Sequence, residues 1–151
     1  SEMCIRDRIN FRHRLVPYLY HTACQSHQSG IPMIRPLVME YPKDPIAKTQ
    51  NLSYMLGDAL LISPGFDRDE YELYLPEGRW QDIESKEVYE GMTFVHIENK
   101  AFADGGTSLR VFQKEGTSIP LFAQKEVLHV PAQLWKQEDL EFMTFQKKDV
   151  D

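Results

Sequence analysis

The chain has 151 residues, of which 42% are hydrophobic and 26% are charged, and its formal net charge at pH 7 is −6. These values are typical of a globular protein. The basic residues are scattered and form no stripe, which argues against a nucleic-acid or anionic-membrane partner. No apolar run approaches the roughly 18 residues of a membrane-spanning helix.

Residues 1–8 read SEMCIRDR. This is a translation of the mosaic-end sequence that transposase-based library preparation attaches to DNA, so we predict that residues 1–8 are a sequencing-adapter artefact. The reading frame is then expected to continue upstream, and the chain to be a fragment. Cys4 would not be native, leaving Cys24 without a disulfide partner. A single cysteine is compatible with a cytoplasmic protein, while secretion and oligomeric state stay open.

Residues 9–29 have the periodicity of an amphipathic helix. Pro17 is expected to kink this helix or to begin a second helical segment, and Gly30 to end it as a left-handed C-cap. The side chains on the predicted apolar face are Phe11, Leu15, Tyr18, Leu19 and Thr22.

Residues 31–39 form a nearly continuous apolar run within GIPMIRPLVMEYP. Such a run after a helix is typical of a strand that is buried on both faces in a parallel sheet, which predicts the end of an α/β domain. Asp44 and Pro45 match an N-cap and a first helical position. A short helix is predicted at residues 53–56, ending at Gly57.

After Gly57 the pattern is that of short strands separated by Gly and Pro turns, which predicts an antiparallel β-sandwich. Residues 70–75 alternate, with Tyr71, Leu73 and Leu75 expected on one face. A last strand is expected to lack a partner. The predicted strands are residues 59–63, 70–75, 79–83, 92–98, 109–113 and 139–146.

The histidines and the cysteine are interpreted as structural or solvated side chains. His13 and His21 would lie about 12 Å apart along a helix, too far to share one metal ion. His27 lies on the same predicted helix, and His96 and His129 have no Cys or His at ligand spacing. Cys24 lies three residues from His21, but a buried, inert thiol is the favoured interpretation. No metal or cofactor site is therefore predicted.

Arg35 and Glu40 are the polar residues of the apolar run. A buried guanidinium must be paired, so Arg35 could hold a catalytic acid or a sugar hydroxyl, and a clamp between strands is the favoured interpretation. Glu40 would lie at the carboxyl end of the predicted strand, where barrels place their sites, although a rim or capping role is favoured. The remaining acids are expected to cap turns locally. These are Asp44, Asp58, Asp67, Asp69 and Asp82.

Five aromatic residues could form a platform on which a sugar stacks, but on alternating strands they are expected to belong to the core. They are Tyr71, Tyr74, Trp80, Tyr89 and Phe94. The sequence has no Gly-rich phosphate loop and no nucleophile elbow.

Several motifs in order over about residues 12–121 resemble glycoside hydrolase family 31, which includes α-glucosidases and α-xylosidases. The first are RLVPYLY at 14–20, HQSGIP at 27–32, RPL at 35–37 and EYPKDP at 40–45. They continue with YMLGDALLISP at 54–64, YLPEGRW at 74–80, YEG at 89–91 and GTSIP at 116–120. Two stretches depart from the family pattern: Gly65-Phe66 and residues 103–108.

The resemblance implies that residues 9–56 end a (β/α)8 catalytic barrel. Residues 57–125 would then form the proximal C-terminal β-sandwich, and 126–151 the start of a distal β domain. It also implies a retaining mechanism with two catalytic aspartates. Those aspartates are expected upstream of Ile9, so no residue of this chain is assigned a catalytic or substrate-binding role.

The resemblance thus implies a C-terminal fragment of a retaining α-glycosidase that acts on terminal α-linked glucose, or a related sugar, in oligosaccharides. The piece alone is expected to be inactive and to fold poorly. One alternative is a stand-alone β-sandwich that binds carbohydrate or a protein. Another is a parent pseudoenzyme whose catalytic acids are replaced.

Overall fold

The computed structural model describes residues 5–65, 68–98, 109–123, 132 and 135–149. Asp67, His129 and residues 103–108, which the sequence singled out, lie outside the described residues, as does Phe66. The chain divides into two compact units. Unit 1 comprises Ser1–Ile31 and Ser118–Thr144, and unit 2 comprises Pro32–Thr117 and Phe145–Asp151.

The described part contains three α-helices and ten β-strands. The helices are α1 (Ile5–Arg14), α2 (Val16–Ser29) and α3 (Leu37–Glu40). The strands are β1 (Ile34–Pro36), β2 (Tyr54–Leu56), β3 (Leu60–Pro64), β4 (Glu70–Leu75), β5 (Arg79–Asp82), β6 (Val88–Glu90), β7 (Thr93–Glu98), β8 (Leu109–Lys114), β9 (Thr117–Phe122) and β10 (Leu140–Phe145). Within the described residues, no helix has the length and apolarity needed to cross a membrane.

The helices of unit 1 confirm the predicted break near Pro17. Helices α1 and α2 meet at Leu15, and Pro17 lies in the first turn of α2. A missing N–H has little cost there, because the first N–H groups of a helix have no partner within it. Gly30 ends α2 at φ 78°, and its N–H donates to the carbonyl of Ser26 at 2.9 Å. This is the predicted left-handed cap.

Strand β10 pairs with β9 in a two-stranded sheet, so the prediction that this strand lacks a partner was wrong. Strand β9 was not predicted because Pro120 interrupts its pattern and proline donates no ladder hydrogen bond. Arg14 of α1 bonds both strands: its Nε donates to the carbonyl of Phe122 at 2.9 Å, and its guanidinium forms an ion pair with Glu141.

Unit 2 consists mainly of antiparallel β-structure, as expected for the sandwich. A six-stranded sheet has the order β1-β2-β3-β8-β5-β6, and β4 and β7 form a separate two-stranded ribbon. The predicted face of β4 is confirmed, since Tyr71, Leu73 and Leu75 are all buried in the core. The other buried core members are Leu37, Ala47, Met55, Leu61, Trp80, Ile97 and Phe112.

The prediction of a strand buried on both faces at residues 31–39 was wrong. Only Ile34–Pro36 is extended. It pairs antiparallel with β2, and α3 follows directly. Ile34, Val38 and Met39 are 60%, 38% and 48% exposed. Apolar composition was taken as burial, but much of a protein surface is also apolar.

The helix predicted at residues 53–56 was also wrong. Residues 54–56 are strand β2, which pairs antiparallel with β1 on one side and with β3 on the other. A single helical turn would gain few hydrogen bonds for the residues it fixes, whereas a central strand satisfies its backbone on both edges.

Candidate functional site

Arg35 lies in the row of side chains that forms the sheet core. It is opposite Met55 on β2, which is opposite Leu61 on β3, which in turn is opposite Phe112 on β8. Directly paired residues share one face of a sheet. The register therefore directs the guanidinium into the interior, and Arg35 is only 4% exposed.

Three acceptors surround the Arg35 side chain. Its Nη1 donates to Glu40 Oε1 at 2.9 Å and to Asp58 Oδ1 at 2.6 Å, while Nε donates to the carbonyl of Pro32 at 2.7 Å. Burial alone would lower the pKa of Arg35, but the hydrogen bonds to Asp58 and Glu40 outweigh it and raise the pKa. The guanidinium is therefore charged and compensated.

This arrangement fits the clamp interpretation. Arg35 connects β1 to the end of α3 through Glu40 and to the turn before β3 through Asp58. Glu40 caps no helix; it is an ion-pair partner. The role of Asp58 was missed because it lies 23 residues from Arg35, and only the reversal of the chain between β1 and β2 brings the two together.

Two of the remaining acids have the predicted local turn roles. Asp44 Oδ1 accepts hydrogen bonds from the N–H groups of Ile46 and Ala47. Asp82 Oδ1 accepts from the N–H groups of Glu84 and Ser85. Such Asx turns are a common use of aspartate. A further acid of this set, Asp69, is exposed.

Asp44 also makes a long-range hydrogen bond that the sequence did not indicate. The hydroxyl of the fully buried Tyr74 donates to Asp44 Oδ2 at 2.6 Å. This bond lowers the pKa of Asp44. Burial, together with the bond to Asp44, raises the pKa of Tyr74 to about 12. The pair ties the turn after α3 to strand β4.

We expect Tyr74→Phe to lower the free energy of unfolding by about 1.5 kcal/mol at pH 7, a typical value for a hydrogen bond to a charged group. Because the pKa of Asp44 is lowered, its contribution is present above the usual aspartate pKa near 4 and is lost as the pH falls. The difference between wild type and variant should therefore narrow at acidic pH. Urea unfolding at pH 7 and at about pH 3 measures both values.

Tyr89→Phe is the matched control. Its hydroxyl donates to Glu87 Oε2 at 2.6 Å, but Glu87 is exposed and only two residues away. That local bond competes with water, so we expect a loss of about 0.5 kcal/mol or less. Equal losses for Tyr74→Phe and Tyr89→Phe would contradict a structural role for the Tyr74–Asp44 bond.

The aromatic residues divide as predicted, with one exception. Tyr71, Tyr74 and Trp80 are buried, and Tyr89 packs against the core. The Trp80 indole N–H donates to the carbonyl of Pro76 at 2.9 Å. Phe94 is 52% exposed, so its assignment to the core was wrong. Its partner in register is Tyr74, and the two ring centroids lie 5.2 Å apart. Phe94 therefore covers one side of the buried Tyr74 ring while its own outer side stays open to solvent.

The prediction that Cys24 is buried was wrong, because the structure places it on the exposed side of α2. The buried residues of this region are Leu15, Pro17, Tyr18 and Thr22, of which Leu15, Tyr18 and Thr22 are spaced by three and four residues. A residue two positions after Thr22 faces away from that stripe. His21 and His27 on α2 are likewise exposed.

His96 belongs to a group of exposed side chains on the ribbon. Its Nδ1 lies 2.7 Å from Glu72 Oε1, and the hydrogen bond to Glu72 raises the pKa of His96. One ligand atom each from Glu70, His96 and Glu98 lies within 4.8 Å of the others. The spacing of Cys and His in the sequence does not reveal this group, because two of its three members are glutamates. Glu70 lies on β4, whereas His96 and Glu98 lie on the paired strand β7. Exposed acidic groups of this kind are common without an ion, and we assign none.

The family model of the glycosyl hydrolase family 31 C-terminal domain matches residues 30–126. The chain belongs to glycoside hydrolase family 31. The match covers Pro32–Thr117 of unit 2 in this family 31 chain, including the Arg35 clamp and strands β1 to β8.

Curated relatives and solved structures agree with this assignment. The chain is 36% identical over 120 residues to neutral alpha-glucosidase AB of Homo sapiens, covering 77% of this chain and 12% of the relative. It resembles the cycloalternan-forming enzyme of Listeria monocytogenes with a TM-score of 0.75 at 32% identity, covering 91% of this chain and 13% of that one. For the family 31 dextranase of Flavobacterium johnsoniae the TM-score is 0.67 at 31% identity, covering 78% and 14%.

The chain spans about one eighth of the length of these relatives. The solved relatives include complexes with glucose and with a pentasaccharide substrate. About seven eighths of these related proteins have no counterpart in this chain.

Proposed function

We propose that this chain is the C-terminal part of a retaining α-glycosidase that removes terminal α-linked glucose, or a related sugar, from oligosaccharides. The family match over residues 30–126 carries the proposal. Support for the sugar comes from the relatives, whose names include alpha-glucosidases and a 1,6-alpha-glucosyltransferase. A retaining mechanism needs two carboxyl groups about 5–5.5 Å apart across the scissile bond.

We also propose that both catalytic acids belong to the part of the parent that this chain lacks. Several carboxylates of unit 2 already have structural partners. Glu40 and Asp58 bind Arg35, and Asp44 binds Tyr74. Asp82 is 2% exposed and lies 3.3 Å from Arg110. Carboxylates held in this way support a structural rather than a catalytic assignment.

In the parent, residues 9–56 would complete the catalytic barrel, 57–125 would form the proximal sandwich and 126–151 would begin a distal domain. The exposed side chains of Ile34, Val38 and Met39 support a further packing partner for the first of these segments. Apolar side chains close together in sequence and open to water are typical of surfaces that another element covers.

Long-read sequencing across the junction before Ile9 first gives the parent gene. The test then compares the expressed parent protein with the 151-residue chain. We expect the chain alone to release no p-nitrophenol from p-nitrophenyl α-D-glucopyranoside, and the parent to release it and to form α-glucose first. Hydrolysis by the chain alone would overturn the assignment of the acids. A parent without activity on any α-glycoside would favour a pseudoenzyme, and a start codon just before Ile9 a stand-alone module.

A further inference from the structure

Residues 51–53 read Asn-Leu-Ser, which is the N-glycosylation sequon Asn-X-Ser, where X is any residue except proline. The chain has three asparagines, at positions 10, 51 and 99, and only Asn51 is followed two positions later by a hydroxyl-bearing residue. None of the roles assigned above uses this segment. A motif this short also occurs by chance, so the folded position of Asn51 has to be compatible with an attached glycan.

Asn51 lies in an irregular surface segment between the 3₁₀ helix Ala47–Thr49 and strand β2. It is exposed, and the part of the chain that the structure describes gives its side-chain amide no hydrogen-bond partner. N-linked glycans are bulky and need a surface position of this kind. A glycan on Asn51 Nδ2 would therefore displace no described hydrogen bond of unit 2.

The third residue of the sequon indicates when the modification takes place. An oligosaccharyltransferase has to contact both the asparagine amide and the hydroxyl two residues later, but Ser53 is only 5% exposed. The next residue, Tyr54, begins strand β2, which is held between β1 and β3. The folded chain thus presents the amide and hides the hydroxyl. The sequon is accessible as a whole only before β2 is paired.

We infer that Asn51 is an N-glycosylation site that is modified while the chain is still unfolded. The donor is an oligosaccharide linked through its anomeric carbon to a lipid pyrophosphate. A C–N bond forms between Asn51 Nδ2 and that carbon, the C–O bond to the pyrophosphate breaks, and the lipid pyrophosphate leaves with the bonding electrons. Nδ2 gives up one proton to a base of the transferase.

The inference implies that this part of the parent enters a compartment in which such transferases act, and that the surface around Asn51 faces solvent in the parent. It goes beyond the proposed function, because it requires neither glycosidase activity nor a particular sugar substrate.

The test uses the parent protein isolated from its source cells. Trypsin should release residues 49–68 as one peptide, whose only asparagine is Asn51. Peptide-N-glycosidase F in isotopically labelled water converts a glycan-bearing asparagine to labelled aspartate. We expect mass spectrometry to find this label at position 51.

Variants of the parent expressed in the same cells separate the sequon from its surroundings. Asn51→Gln and Ser53→Ala should both abolish the label, whereas Ser53→Thr keeps a hydroxyl at the required position and should keep it. Asn10→Gln is the matched control, because Asn10 lies outside any sequon. It should leave the label at position 51 unchanged.

The order of events has its own measurement. A purified oligosaccharyltransferase with a lipid-linked oligosaccharide should glycosylate a synthetic peptide of residues 48–56. It should not glycosylate folded parent protein that was made in bacteria without the transferase. Modification of the folded parent as fast as the peptide would show that the burial of Ser53 does not matter, and would overturn the inferred order.

Two further results would overturn the site itself. One is an unmodified Asn51 in the parent from its source cells, and the other is a glycan that persists at Asn51 in Ser53→Ala. Glucoside hydrolysis is measured on the same samples. A parent that carries the glycan but hydrolyses no α-glycoside would overturn the proposed function alone.

Discussion

Gly91→Ala should lower the free energy of unfolding by about 3 kcal/mol, a large part of the stability of a domain this size. A Cβ atom at this position would overlap the carbonyl oxygens of Pro76 and Gly78, far inside the 3.0 Å that Cβ atoms essentially never cross. Both obstacles are backbone atoms, so no side-chain rotation can relieve the overlap.

The close approach of Gly91 to the backbone of Pro76 and Gly78 goes with two hydrogen bonds between these segments of unit 2. The N–H of Gly91 donates to the carbonyl of Gly78 at 2.6 Å, and the N–H of Met92 donates to the carbonyl of Leu75 at 2.7 Å. These bonds connect the turn after β4 to the chain between β6 and β7. Moving that turn away to make room for a methyl group would break them.

Gly116→Ala separates the overlap from the general cost of replacing glycine. Gly116 has φ +76°, and the nearest atom to an added Cβ is in the flexible side chain of Lys147, at 3.3 Å. We expect a loss of about 1 kcal/mol from the left-handed backbone alone. Urea unfolding of both variants measures the two losses in free energy of unfolding. The dependence of that free energy on urea concentration should be the same for both variants and for wild type. A loss for Gly91→Ala no larger than for Gly116→Ala would show that the turn yields easily.

The features that the sequence predicted correctly are those that depend on neighbouring residues in the chain. Strand β4 was predicted with its exact bounds because Tyr71, Leu73 and Leu75 alternate with polar residues over a period of two. The cap at Gly30 was predicted because the left-handed residue that ends a helix is usually glycine.

The features that failed depend on partners distant in sequence. Whether Ile34 is buried is decided by what packs on it, and a run of apolar letters does not contain that information. Asp58 reaches Arg35 only because strands β1 to β3 fold back on one another. The clamp is therefore a property of the register rather than of any motif.

Removing both carboxylates of the Arg35 clamp should cost more than removing the arginine itself. In Glu40→Gln/Asp58→Asn the guanidinium stays buried, with 5% of its side chain exposed, but loses its counter-charges. Breaking a buried ion pair from one side costs roughly 3–5 kcal/mol. Because 65% of the Asp58 side chain is exposed and water screens its contribution, we expect about 3 kcal/mol.

Arg35→Met should cost less, about 1.5 kcal/mol. Glu40 and Asp58 keep 30% and 65% of their side chains open to solvent, so they can turn to water once the guanidinium is gone. A methionine can fill part of the space of the lost side chain beside Met55, its partner in register, without a polar group to satisfy. The hydrogen bond to the carbonyl of Pro32 is lost in this variant and kept in the double variant.

Urea unfolding at low and high salt measures the free energy of unfolding of wild type, Glu40→Gln/Asp58→Asn and Arg35→Met. Asp69→Asn/Glu70→Gln is the control, since it removes two exposed acids from the same unit and should change stability by about 0.5 kcal/mol or less. If Arg35→Met proves more damaging than Glu40→Gln/Asp58→Asn, the side chain acts mainly through its packing and its bond to Pro32. If the order is as expected, the charge of Arg35 is what unit 2 must compensate, and Glu40 and Asp58 are in place for that purpose rather than for catalysis.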